Sequence, residues 1–372
     1  MSETRVDIVQ GANGGAIPLL ARATAAETRA HHGLAVAIDD FFLPDEARLD
    51  ERTRIALALL LRALIDTVEA DIREQGAQLL TQRGESRLAA AMLRTEVGVF
   101  ERLFVSGLLR DPALMAELMA RVRQDAIAAA LPMHAPDDPE RPSLVNRFVQ
   151  HPDRALASGA MAVLVAESRR RTGPDVGQLI HTDLPAELHH RLVWWAAAAL
   201  RERIGDVADG ALAVLDLALS DAAQRSLAGY DEGGRLEAAA MRFAAAIDAQ
   251  PDELPRLLVE ALGDRRIVLF IALFAHALGI GYPLAREIVL DPTADRLWLA
   301  LRALDFGRET VAQIGFALCE ADPRRDVERF ADRLDSILAI APDEAREAVA
   351  PLRLDPDYRA AMLALAGSKV AA

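Results

Sequence analysis

The stretch HTDLPAELHHRLVWWAAAAL, residues 181–200, holds three of the eight histidines and two of the three tryptophans. Such residues can bind a metal, act as a general base or line an aromatic pocket. A helical metal site needs ligands at i and i+4, as in H-E-x-x-H. Neighbours on a helix diverge by about 100°, so His189 and His190 cannot easily share an ion. Positions 193 and 194 are valine and tryptophan, and no set of three ligands is visible. The stretch therefore reads as a helix, capped by Thr182 or Asp183, with Pro185 in its first turn. Leu188, Leu192, Trp195 and Ala199 would form one stripe, with His189, Val193, Ala196 and Leu200 beside it. A helix apolar on more than one face needs more than one neighbour.

Other catalytic patterns are missing. The single cysteine, Cys319, excludes an intramolecular disulfide and any multi-cysteine metal cluster. It lies in IGFALCEA with no base nearby, which suits a small buried side chain. The glycine-rich GANGGAIP, residues 11–18, would need G-K-[ST] to bind phosphate, but the only lysine is Lys369. It reads as a flexible turn. There is no G-x-S-x-G, dinucleotide fingerprint or EF-hand loop. We expect no enzyme, no catalytic residue, no metal and no cofactor. The six carboxylates of residues 38–51 read as caps and solvated charges, with Phe41, Phe42 and Leu43 docking that segment.

The net charge is −14, which repels phosphate backbones and anionic lipid. Arg169, Arg170 and Arg171 read as partners of a helix dipole, so nucleic acid is not an expected partner. The near-total use of arginine over lysine reads as a coding bias. MSETRVDIVQ lacks a basic start and an apolar core, which points to the cytoplasm. Residues 267–284 carry no charged residue and touch the length of a membrane span. They also include His276, Gly279, Gly281 and Pro283. A buried core helix capped by Gly279 fits better than membrane association.

The elements behind these residues are helices. Leu57, Leu61, Leu64, Val68 and Ile72 recur at helical spacing within 51–80, with Asp50 as N-cap and Arg52, Arg54, Arg62, Asp66 and Glu69 off the stripe. That stripe could also be the seam of a homodimer. Asp-Pro at 111–112, 138–139, 291–292, 322–323 and 355–356, and Pro-Asp at 152–153, 251–252 and 342–343, suggest many helices started alike. The four prolines of 131–143 cannot lie inside a helix. They read as a linker between an N-terminal helical region, 1–130, and a repeat-like array, 144–372. The expected fold is all-α: an irregular HEAT- or armadillo-like solenoid, or alternatively a compact multi-helix bundle.

FFLPDEARLDERTRIALALLLRALIDTVEADIREQGAQLL and ALGIGYPLAREIVLDPTADRLWLALRALDFGRETVAQIGFAL resemble segments of the domain-of-unknown-function-2336 family of bacteria. The resemblance implies an all-α, repeat-like protein and carries over no functional residue. The expected function is a non-enzymatic interaction or regulatory scaffold module that binds another protein's helix or peptide. Trp194, Trp298 and Phe306 are its candidate anchors, with Trp298 off the Leu297, Leu301, Leu304 stripe and free to face outward. The alternative is a small-ligand sensor or enzyme with an inter-helix pocket built around His181, His189, His190 or His276.

Overall fold

The computed structural model describes residues 48–94, 98–132, 142–171, 181–205 and 210–370. The 11–18 loop, the first ten residues of the acidic run with Phe41, Phe42 and Leu43, and residues 133–141 of the proline-rich stretch lie outside them. Two compact units divide the chain, Met1–Arg54 and Ile55–Ala372. In the first, Asp50 accepts from the Thr53 amide at 2.9 Å and the Thr53 hydroxyl at 2.6 Å. These bonds hold its carboxyl below the usual range.

The chain is all-α, with seventeen α-helices and no strand among the described residues. They are α1 (Glu51–Gln82), α2 (Ser86–Leu93), α3 (Val99–Ser106), α4 (Pro112–Ala130), α5 (Leu144–Val149) and α6 (Arg154–Arg171). Next come α7 (Ala186–Gly205), α8 (Leu212–Gly229), α9 (Leu236–Ile247), α10 (Leu254–Gly263), α11 (Ile267–Leu278) and α12 (Tyr282–Leu290). Last are α13 (Asp295–Ala303), α14 (Arg308–Ala321), α15 (Val327–Leu338), α16 (Pro342–Val349) and α17 (Pro356–Val370).

Leu57, Leu61, Leu64, Val68 and Ile72 are all buried. The stripe that could have paired with a second copy is therefore covered within the chain. Glu69, read as off the stripe, is buried too, 3.3 Å from Arg73. Helix α11 is buried at every position from Ile267 to Ala275 and ends at Gly279 with φ +67°, where glycine carries no Cβ penalty. It bends by 116° into α12. No single described helix is long and apolar enough to cross a membrane.

Helix α4 packs on α11, α12 and α14, and one hydrophobic core runs from Ile127 through Leu144 to Val349. Ile127 and Leu131, which precede the proline-rich residues 132–143, thus share this core with the helices that follow. A stack of strictly nearest-neighbour repeats would not bring α4 to α12.

The Asp-Pro pairs divide. Asp111 caps α4 through the Leu114 amide at 2.8 Å, and Asp355 caps α17. Asp291 and Asp322 instead close turns onto Thr293 and Arg324. Helix α15 takes its cap from Asp326. The pair 138–139 lies outside the described residues.

The arginines have a structural use that composition alone did not reveal. Each helix end leaves carbonyls without intrahelical partners, and a guanidinium offers several donors in a rigid fork. Arg73 donates to Met92 O at 2.8 Å, at the end of α2. Arg265 donates to Leu131 O at 2.7 Å, past α4. Arg353 reaches Leu278 O at 2.9 Å, Arg346 reaches Ala303 O at 3.1 Å, and Arg324 reaches Leu290 O at 3.2 Å. Arg302 donates through Nε and Nη2 to Ile340 O and through Nη1 to Phe306 O. Arginine is the staple between helix ends.

Candidate functional site

A cleft of about 270 Å³ opens where four chain segments meet: the end of α6, the 181–185 loop, the end of α8 and the 230–235 loop. Arg169, Arg170, His181, Asp183, Tyr230 and Arg235 line it. Its floor is set by two loops that cap each other's helices. The Leu236 amide, first in α9, donates to Asp183 Oδ1 at 3.1 Å. The Ala186 amide, first in α7, donates to Glu232 Oε1 at 3.2 Å. Each loop precedes one helix and caps the other, so two helix N-termini are tied together beside the cleft. Asp183 holds φ +55°, a left-handed conformation that aspartate tolerates better than most residues. The sequence reading made Thr182 or Asp183 the cap of α7. The fold instead bonds Thr182 Oγ1 to His189 Nδ1 at 3.0 Å.

Tyr230 forms one wall. Its ring stacks on His189 at 3.9 Å and its hydroxyl donates to Leu184 O. Burial pushes the phenol up to about 12 and the His189 imidazolium down to about 4. Both groups are therefore neutral at pH 7.

Beneath the cleft lies a buried network of charge. Arg170, with a side chain only 7% exposed, donates to Glu237 Oε1 at 2.8 Å and sits 3.6 Å from Asp183 and 3.2 Å from Asp125. Burial works against its charge, but these three carboxylates hold its pKa above the ordinary value. Burial also opposes charge on Glu237, yet Arg170 and Arg235 keep its carboxyl down at about 2. Asp183 moves the other way, raised by burial and by Glu237. On the far side Glu117 takes both Nη1, at 3.0 Å, and Nη2 of Arg286, joining α4 to α12. Tyr282 donates to Gln124 at 2.9 Å, and Arg121 donates to Thr182 O at 3.0 Å.

This network is not closed. Arg235 lies 3.6–3.7 Å from Glu117, Glu232 and Glu237, too far for hydrogen bonds. Its Nε, Arg170 Nε and Nη2, Arg121 Nε, Asp183 Oδ2, Glu237 Oε2, Gln124 Nε2 and His189 Nε2 are buried without a hydrogen-bond partner. Eight of the eleven such atoms among the described residues are therefore here. Buried polar groups are normally satisfied; these atoms are sealed from solvent, beneath the cleft and not on its wall.

The residues singled out from sequence scatter. Trp298 is 5% exposed and packs its ring 4.7 Å from Phe330, and Phe306 is 2% exposed. Neither can anchor a partner. Helix α13 is buried on two faces, so a position off its leucine stripe still points inward. Trp194 is half-buried, with Nε1 3.1 Å from Nε2 of the exposed His190. His181 lines the cleft and His189 backs its Tyr230 wall. His276 pairs with Asp248 at 3.0 Å. No group of three His, Cys, Asp or Glu among the described residues is placed to hold a metal. Cys319 is buried, and burial pushes its thiol up.

Sequence reasoning missed Arg235, Glu237, Asp183 as a cleft residue, and Tyr230. It assigned Arg169 and Arg170 to a helix dipole. The available signal was the run YDEGGRLE, residues 230–237, where two glycines separate acids from an arginine just before a helix. A Cβ at Gly233 would come within 3.0 Å of Asp231 Oδ1, which accepts the Gly233 amide at 2.9 Å.

Residues 138–350 match the model of a family described as "Uncharacterised protein conserved in bacteria (DUF2336)". No curated protein and no solved structure matches the chain.

Proposed function

The chain belongs to that bacterial family, and we propose that it is a non-enzymatic ligand-sensing module whose cleft at 181–185 and 229–235 takes a small polar molecule. One observation carries this: a cleft of about 270 Å³, lined by Arg169, His181, Asp183, Tyr230 and Arg235, opens where two loops cap each other's helices. A small molecule held there would bridge the end of α6, the 181–185 loop and the 230–235 loop, all of which line the cleft. We place the module in the cytoplasm, where a diffusible ligand would meet it.

The test is a thermal-shift screen of the full chain against small polar metabolites, with hits followed by hydrogen exchange. A hit is expected to slow exchange at 181–185 and 230–235. Hits that protect only other segments, or no hit at all, would overturn the cleft as the ligand site.

Partner-protein binding is a second reading, and the C-terminal helix favours it. Leu354, Tyr358 and Met362 are exposed at four-residue spacing along and just before α17, the pattern of an apolar seam. Tyr358→Asp with Met362→Asp should abolish capture of a partner from cell extract without lowering the melting temperature. Unchanged capture would discard that surface.

A further inference from the structure

Helix α17 starts where the hydrophobic core stops. Val349 is the last core residue and Leu352 packs against it. Beyond them, every residue from Leu354 to Met362 is exposed except the half-buried Arg359. The helix makes no substantial contact with another described helix. Its base is nevertheless fixed. Arg353 donates to Leu278 O at 2.9 Å, and Arg359 donates to Leu352 O at 3.3 Å. Asp355 accepts the amides of Asp357 and Tyr358. A helix of 15 residues is marginal in water unless tertiary packing covers one of its faces. The fold therefore holds α17 outward with its packing face uncovered.

That face suits a copy of itself. Tyr358, Met362 and Leu365 are all exposed, and their spacing of four and then three residues keeps them on one side of the helix. The row is nearly symmetric about Met362. An antiparallel copy turned about a twofold axis there sets Met362 on the partner's Met362 and Tyr358 on the partner's Leu365, and the reverse. An isologous contact demands this reciprocity. The charges favour the same orientation. A parallel pair would bring Asp357 level with its copy and Arg359 level with its copy. The antiparallel pair moves them about 15 Å and about 9 Å apart along the axis, at 1.5 Å per residue, which is a Debye length or more in physiological salt.

We infer that α17 is a self-association helix, and that the partner it takes is the α17 of a second copy of this chain, packed antiparallel about Met362. This names the partner in the second reading above and rests on α17 being a docking face. Two helices of this length meet over less than the about 1,200 Å² of a stable complex, so the dimer forms in the micromolar range and is reversible. Each copy carries a net charge of −14, and this repulsion opposes association until salt screens it.

The experiment is sedimentation equilibrium of the full chain from about 1 to 300 µM, at low and high salt. The mass should rise from monomer to dimer with concentration, and the dissociation constant should fall as salt is raised. An interface made of ion pairs would loosen instead. Tyr358→Asp with Met362→Asp should read as monomer throughout, with the melting temperature unchanged. The register is read by mild oxidation of a mixture of a Tyr358→Cys copy and a Leu365→Cys copy. The mixed crosslink should form in preference to either variant crosslinked to itself.

A monomeric mass at every concentration overturns the second copy as partner. So does a dimer that survives the double substitution or loosens with salt. Crosslinking of each variant to itself overturns the antiparallel packing. If the chain stays monomeric while the double substitution still abolishes capture of another protein, the partner is foreign and α17 stands as the docking face. If the double substitution changes neither mass nor capture, both fall.

Discussion

Arginine is used in two opposite ways in this molecule. In the C-terminal third it is mostly satisfied, although Arg266 Nε and Arg325 Nη1 are also buried without a hydrogen-bond partner. All three nitrogens of Arg302 donate to carbonyls, and Arg324 is divided between Asp322 and Leu290 O. Around the cleft it is left short. Among the described residues Arg235 has no side-chain hydrogen bond, and Arg170 and Arg121 each keep unbonded nitrogens while buried. Burial and residue type are the same in both regions, so neither marks a site. What distinguishes them is how far their hydrogen bonds are completed: four of the six unbonded buried guanidinium nitrogens among the described residues belong to the cleft network. A staple has its acceptors built in as backbone carbonyls, whereas the cleft faces its guanidiniums with carboxylates at ion-pair distance.

The largest test of the contrast is the bidentate link in the cleft network. Glu117 pairs bidentately with Arg286, both side chains 9% exposed. Removing one partner of a buried pair strands the other charge. Glu117→Ala should therefore cost about 3–5 kcal/mol in urea unfolding. A loss under about 1 kcal/mol would mean that the network is solvated and that its unbonded atoms are met by water.

Acid should loosen the cleft before the staples. Burial, the largest influence, holds the His189 imidazolium down at about 4, against an ordinary value near 6.5. The folded state thus prefers the neutral ring. Its contribution is complete above pH 6.5 and is lost as pH falls towards 4, by about 2–3 kcal/mol. Asp183 works in the opposite sense, because its raised carboxyl takes a proton earlier when folded than unfolded. Comparison with His189→Phe, which keeps a ring against Tyr230, isolates the histidine. The variant's stability should change less between pH 6.5 and 4 than the parent's. Hydrogen exchange should place the parent's early opening at 181–189 and not around Arg302. Parallel pH curves for the two proteins would remove His189 from the account.

These two regions also differ in how far the sequence disclosed them. Helices were legible because their cause is local. The spacing of Leu57 to Ile72 marked the buried face of α1, and Gly279 marked the end of α11. The cleft was hidden because its members come from positions 117, 170, 183, 235 and 286, which only tertiary packing assembles. Asp183 illustrates the difficulty. Its type and its place before Pro185 marked a cap correctly, but the helix it caps begins 53 residues later. Asp291 and Asp322 show the same ambiguity on a local scale. An aspartate before proline can cap a helix or close a turn, and the neighbouring residues decide. Trp298 misled for a different reason: a stripe identifies one buried face of a helix and says nothing about a second.

A smaller test asks whether the staples need arginine or only a positive charge. Arg302→Lys keeps the charge but offers one ammonium where a fork serves Ile340 O and Phe306 O together. One carbonyl should lose its partner, costing about 1–2 kcal/mol in urea unfolding. A neutral result would return the scarcity of lysine to coding bias and leave the staples without energetic meaning.

The smallest expected effect is the most discriminating. Arg169 is an exposed cleft arginine without a partner among the described residues. A residue with nothing to hold contributes little to folding, so Arg169→Ala should leave stability within about 0.5 kcal/mol of the parent. The same change should weaken a ligand held in the cleft, which Arg169 lines. Every staple predicts the reverse pattern, with stability lost and binding untouched. A drop in stability of more than about 1 kcal/mol in Arg169→Ala would show that this side chain is held in the folded protein. Arg169 would then belong with Arg302, and the division of the arginines into two uses would lose its clearest member.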